Sequence, residues 1–196
     1  MSDNELDQGK RGFLVATSAV GGVAAVGAAV PFVASMFPSE RAKALGAPVE
    51  VDIGKLAPGE MMRVEWRGKP VWVLRRTKEM MESITQSDQF VTDPKLDVPQ
   101  QPEYAKNASR SIKPEVVVLE GVCTHLGCSP QFKPKEVSAD MGADWVGGFY
   151  CPCHGSKFDF AGRVYKGAPA PTNLKVPPHM YVADSTIVIG EDNKGA

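Results

Sequence analysis

The sequence predicts an all-β domain of antiparallel sheets behind one N-terminal transmembrane helix. Three observations carry that expectation. The stretch from Gly12 to Ser39 contains no Asp, Glu, Lys or Arg. Beyond Pro48 the apolar residues fall into short alternating or continuous runs, punctuated by turn residues in a chain with 19 Gly and 16 Pro, the pattern of short strands joined by tight turns. The length, 196 residues, suits one ordinary domain plus an anchor. Apolar residues at 43% and charged residues at 23% exclude wholesale disorder. With 22 basic against 23 acidic side chains there is no charge excess for a nucleic-acid partner.

Taken in order, residues 1–11 form a polar tail and 12–38 the anchor. A helix over Phe13 to Val33 spans ~32 Å, enough for a bilayer's hydrocarbon core. Lys10-Arg11-Gly12-Phe13-Leu14 ahead of it resembles a twin-arginine export signal with Lys in the first basic place. That route carries folded cargo, as a domain loaded with its cofactor in the cytoplasm requires. The apolar run exceeds a usual signal core and Ala42-Lys43-Ala44 is a poor cleavage site, so the segment reads as a retained anchor. The basic pair places the N-terminus in the cytoplasm. Residues 39–47 read as a flexible hinge, or equally as a helical extension of the anchor.

The globular part, 48–196, begins with alternation in Val49 to Ile53, a Pro58-Gly59 turn and a strand from Met61 to Trp66. Arg67-Gly68-Lys69 turns the chain into Pro70 to Leu74. Thr77 caps a short helix to Ile84, with Lys78 to Glu82 on its solvated face. Ser87 to Pro114, polar and dotted with Pro, reads as a long surface excursion. Val116 to Leu119 and Trp145 to Tyr150 read as strands, and Tyr181 to Gly190 as a closing hairpin about Asp184-Ser185. Trp66, Trp72 and Trp145 are expected core anchors.

The chemistry is concentrated in two boxes, Cys123-Thr124-His125-Leu126-Gly127-Cys128 and Cys151-Pro152-Cys153-His154-Gly155-Ser156. They hold all four cysteines and two of the three histidines, each box at the end of a predicted strand. Such clustering means metal. A structural zinc site of Cys₂His₂ or Cys₃His type is the generic reading of the ligand types. Against it, Cys-x-His has a single intervening residue, and the second box supplies more sulfur than one tetrahedral ion needs. Six candidate ligands for four places leave two cysteines over, which on the exported side of a membrane are expected to form a disulfide. His179, after Pro177-Pro178, has no motif around it and reads as an ordinary loop residue.

CTHLGC and CPCHGS resemble the two boxes of Rieske iron–sulfur proteins. The resemblance is to the Rieske subunits of quinol–cytochrome c reductases, the cytochrome bc complexes. It extends to the Trp66 to Pro70 stretch, to Gly162-Arg163 and to the Pro-rich Gly167 to Pro171. It implies a Rieske-type fold with a small cluster-binding subdomain, about 121–171, and one [2Fe–2S] cluster. By that resemblance Cys123 and Cys151 ligate one iron, His125 and His154 the outer one, and Cys128 and Cys153 form the disulfide. Leu126 sits over the cluster, and Pro169-Ala170-Pro171 shields its other side.

Two thiolates instead of four leave the oxidised centre formally neutral. As for Rieske centres generally, the potential then lies at roughly −150 to +300 mV, within reach of a quinol. The resemblance further implies that His154 contacts ubiquinol and takes a proton as the cluster takes an electron. The quinol is oxidised at a b-type cytochrome, and the domain then swings to reduce a c-type cytochrome. The whole is expected to be a dimeric multi-subunit complex in a bacterial inner membrane, with this single-pass subunit's domain in the periplasm.

Ser156 matches a family serine that donates to a sulfide. Phe158 stands where many relatives carry a Tyr that donates to a ligand cysteine, which implies a lower potential. Ala168 lengthens the Pro-rich loop by one residue. Two alternatives remain from sequence: the Rieske subunit of another exported oxidoreductase, such as an arsenite oxidase, or a structural zinc module. Nothing resembles a phosphate loop, a nucleophile elbow or a catalytic carboxylate pair.

Overall fold

The computed structural model of the chain describes residues 8–134, 141–142 and 144–192. Most of the polar tail (residues 1–7) lies outside the described residues, as does the C-terminal 193–196. The chain divides into two units, Met1–Ala44 and Leu45–Ala196.

In the first unit α1 runs from Gln8 to Ser35. It starts before the predicted anchor, taking in Lys10 and Arg11, and none of its residues is buried. It is long and apolar enough to cross a membrane. The stretch expected to be a hinge contains a second helix, α2 (Glu40–Leu45). Ser39 starts it by accepting a hydrogen bond from the Ala42 amide at 3.2 Å, and Glu40 pairs with Lys43 at 2.7 Å. The helical reading of that stretch is the one the capping serine favours.

The second unit holds three three-stranded antiparallel sheets. β1 (Val49–Asp52) pairs with β9 (Thr186–Ile189), which pairs with β8 (His179–Ala183). β2 (Met61–Trp66), β3 (Lys69–Arg75) and β4 (Val116–Glu120) form the second sheet. β5 (Gln131–Lys133), β6 (Gly148–Cys151) and β7 (Ser156–Phe158) form the third. The sixth strand is shorter than the sequence suggests, because the chain bends at Gly147, φ 96°, before it begins. α3 (Lys78–Gln86) follows β3, with the Thr77 hydroxyl accepting from the Met80 amide.

β3 and β4 of the middle sheet are buried on both faces, which explains why they read as continuous apolar runs. Val71, Val73, Val116 and Val118 face one cluster together with Ile187 and Ile189 of β9. Trp72, Leu74, Val117 and Leu119 alternate onto the other, with Phe149, Phe158, Cys123 and Cys151. Trp72 stacks on Phe149 with ring centroids 5.0 Å apart. The leading cysteines of the two boxes, Cys123 and Cys151, are thereby set into the core, just after β4 and at the end of β6.

Ser87 to Pro114 departs from expectation. It is no mere surface excursion: Ser87, Val91, Leu96, Ala105, Arg110 and Ser111 are buried. The cause is ionic. Arg76, Arg110 and Arg163 are all buried around the fully buried Asp159. Arg163 Nε donates to Asp159 at 2.7 Å and its Nη1 to Asp88 at 2.6 Å. Burial works against the Arg163 charge, but Asp159 and Asp88 outweigh it and hold the guanidinium above its usual range. For Arg76 burial wins over Asp159 and lowers the value to about 10, so it remains a cation at neutral pH.

His179 is a second departure. It opens β8 rather than a loop and is 1% exposed. Its amide donates to the Tyr104 hydroxyl at 2.8 Å, its Nδ1 lies 2.9 Å from the Pro177 carbonyl, and its ring meets Tyr104 edge-on. Burial pushes its pKa down. It lies outside the cysteine boxes and serves the packing of the closing hairpin.

Candidate metal centre

Each box is one loop closed in the same way. The carbonyl of the leading cysteine accepts from the amide of the glycine four residues on: Gly127 to Cys123 at 3.0 Å, Gly155 to Cys151 at 2.9 Å. Both glycines have positive φ, 84° and 77°, where a side chain would be strained. The turn therefore reverses each chain just after its histidine and holds that histidine at the tip. Cys123 N–H donates back to the Cys128 carbonyl at 2.8 Å, tightening the first loop.

Cys128 and Cys153 are joined in a disulfide that ties the loops to each other. Their sulfurs and that of Cys151 all lie within 4.8 Å of one another. Cys123 and Cys151 are free and buried. Burial pushes the Cys151 thiol up, while the backbone amides of Cys153 and His154 act on its sulfur in the opposite sense. The His125 and His154 rings meet each other nearly perpendicular, 88°, with centroids 4.7 Å apart. His154 is exposed and His125 half-buried. The His125 Nδ1 atom is buried with no hydrogen-bond partner among the described residues, a costly state for an imidazole unless something is bound there. Leu126, 71% exposed, projects at the same tip.

Two other residues named from the sequence, Ser156 and Phe158, lie on β7. Ser156 is fully buried, and its Oγ accepts from the Ala170 amide at 3.1 Å, leaving its proton to donate elsewhere. Phe158 is completely buried in the core, opposite Phe149 in the sheet register. Thr124, which the sequence did not single out, donates its hydroxyl to the Thr172 carbonyl at 2.6 Å. The Pro-rich loop is thus bonded to both boxes. A threonine inside the first box was the one available hint of this; the carbonyl it meets, 48 residues away, carries none.

Two buried thiols in two loops whose imidazoles meet, with one imidazole nitrogen unpartnered among the described residues, fit a mixed sulfur–nitrogen metal centre. The family description Rieske [2Fe-2S] domain matches residues 48–178. The description Ubiquitinol-cytochrome C reductase Fe-S subunit TAT signal matches residues 1–39. The ubiquinol-cytochrome c reductase iron-sulfur subunit of Allochromatium vinosum is 58% identical over 187 residues, spanning 95% of this chain and 90% of the relative.

The chain belongs to the Rieske iron–sulfur subunits of ubiquinol–cytochrome c reductase. The subunit of the same name from Blastochloris viridis is 40% identical over 191 residues, 96% of this chain and 97% of its own. The mitochondrial cytochrome b-c1 complex subunit Rieske of Theropithecus gelada is 37% identical over 194 residues, 96% of this chain and 63% of that longer protein. This Rieske subunit therefore serves electron transfer in a cytochrome bc complex and carries one [2Fe–2S] cluster. Its N-terminal region is a twin-arginine signal joined to a helix able to span a membrane. The zinc and arsenite-oxidase alternatives find no support in these relatives.

Proposed function

We propose that Cys123 and Cys151 hold one iron of the cluster and His125 and His154 the other, the assembled complex oxidising ubiquinol and reducing a c-type cytochrome. One observation carries this reading. The Cys128–Cys153 disulfide removes two of the four cysteine sulfurs, leaving two buried thiols on the same two loops whose imidazoles meet edge-on. Bound there, the cluster supplies a near-neutral one-electron acceptor, oxidising enough for a quinol because imidazoles replace two thiolates.

The chain's own residues do the rest. His154 is exposed, so its outer ring nitrogen is open to a quinol hydroxyl, accepts its hydrogen bond and holds its proton. Exposed Leu126 offers a lipid-soluble head group an apolar seat and keeps water from it. The disulfide holds the two loops, and thus the two imidazoles, in one geometry. A lasting disulfide belongs to an oxidising compartment, which supports a periplasmic domain with the N-terminus in the cytoplasm of a bacterial inner membrane. In this reading the quinol site lies against a b-type cytochrome and residues 39–47 let the domain move to the c-type cytochrome, within a dimeric complex.

The assembled complex tests this. His154→Leu removes an iron ligand together with a positioned proton acceptor and should lower quinol-dependent cytochrome c reduction by at least about a hundredfold; parental turnover would refute both roles. A smaller effect is expected at Phe158. Phe158→Tyr adds one donor near the ligand cysteines, worth about 1 kcal/mol, so voltammetry should show the potential rise on the order of 40 mV. No rise, or a fall, would mean that the missing hydroxyl does not set the potential.

A further inference from the structure

We propose that Arg110 is a positioning residue that clamps both ends of the Pro-rich loop and so fixes that loop against the two cysteine boxes. Its guanidinium is fully buried. Nη1 donates to the Ala161 carbonyl at 2.9 Å and Nη2 to the Leu174 carbonyl at 2.7 Å. Those two carbonyls stand at the entry and exit of the segment 162–173, which carries Pro169-Ala170-Pro171. The base is closed further by the Leu174 amide on the Gly162 carbonyl at 2.8 Å and by Asn173 Oδ1, which accepts from the Val164 amide at 2.9 Å.

The returning limb of the same segment makes the two contacts with the boxes, Ala170 to Ser156 and Thr172 to Thr124. Clamping the base therefore fixes that limb against the boxes. Arg110 is itself held rigidly. Its Nε donates to Gln101 Oε1 at 3.2 Å, and Nη2 reaches the Gln100 carbonyl at 3.3 Å. Its backbone sits at φ 49°, the left-handed region that a non-glycine residue rarely adopts and keeps where its surroundings over-determine it. Lysine has one nitrogen and cannot bridge two carbonyls in a fixed fork.

The consequence for the centre rests on the ligand reading above; the clamp does not. Amide hydrogen exchange on the full chain in detergent reads the clamp. Arg110→Lys should speed exchange of peptides within 162–173 about tenfold or more, the scale of losing a charged hydrogen bond. Peptides of β3 and β4 should keep parental rates. Unchanged exchange in 162–173, or an equal rise throughout the domain, would overturn the proposal. Should Arg110→Lys fail to fold, Gln101→Ala decides it, with a smaller rise confined to 162–173 expected and no local rise contradicting it. The electron paramagnetic resonance line shape of the reduced Arg110→Lys protein reads the reach to the centre. A shifted line shape is expected. A local rise in exchange with an unaltered spectrum would overturn that reach while leaving the ligand assignment untouched.

Discussion

Serine in place of Cys128 and Cys153 is expected to destabilise the domain by about 3.5 kcal/mol and to strip it of iron. The bridge closes a loop across a sequence separation of 25, and the entropy that such a cross-link removes from the unfolded chain sets that magnitude. The second effect follows from the local structure. Each loop is closed on itself by one hydrogen bond to its glycine, Gly127 or Gly155, and the disulfide is the covalent link between the two. Without it the His125 and His154 rings lose their common frame. Urea unfolding with iron analysis checks both parts. A double variant of parental stability and iron content would show that packing alone holds the loops together.

Asp159→Asn is expected to cost about 3–5 kcal/mol, the scale for breaking a buried ion pair on one side. Asp159 is fully buried and accepts from the Ala161 and Arg163 amides, from Arg163 Nε and from the Ser87 hydroxyl. Its charge also acts favourably on buried Arg76 and Arg110. Asparagine keeps the shape but leaves three buried guanidinia with half-exposed Asp88 as the carboxylate still paired to Arg163. The turn that Asp159 anchors joins β7, which carries Ser156, to the Pro-rich loop. Denaturation midpoints of parent and variant at neutral pH measure the cost, and a loss below about 1 kcal/mol would mean the arginines are satisfied by carbonyls alone.

What the sequence made legible was local. The Arg67-Gly68 turn, the Thr77 cap, the apolar runs of β3 and β4 and the hairpin about Asp184-Ser185 are written in neighbouring residues, and each formed where expected. The two boxes were legible for the same reason, since cysteine, histidine and a turn glycine recur within a few positions. What was missed is long-range. Arg110 reads as one more polar residue in a Pro-dotted stretch, yet its partners are carbonyls 51 and 64 residues away. Carbonyls have no sequence signature, so a buried arginine that binds them leaves none. His179 is similar: its place in β8 depends on Tyr104, 75 residues earlier. At 39–47 the sequence allowed both a hinge and a helix, and Ser39 as a cap gave α2.

The most direct test of the mixed sulfur–nitrogen centre is pulsed electron paramagnetic resonance on the reduced protein with its histidines labelled by ¹⁵N. The account predicts two coupled histidine nitrogens, and loss of the cluster signal in each of His125→Ser and His154→Ser. Labelled protein whose cluster signal shows no histidine coupling would mean an all-sulfur centre and would contradict it.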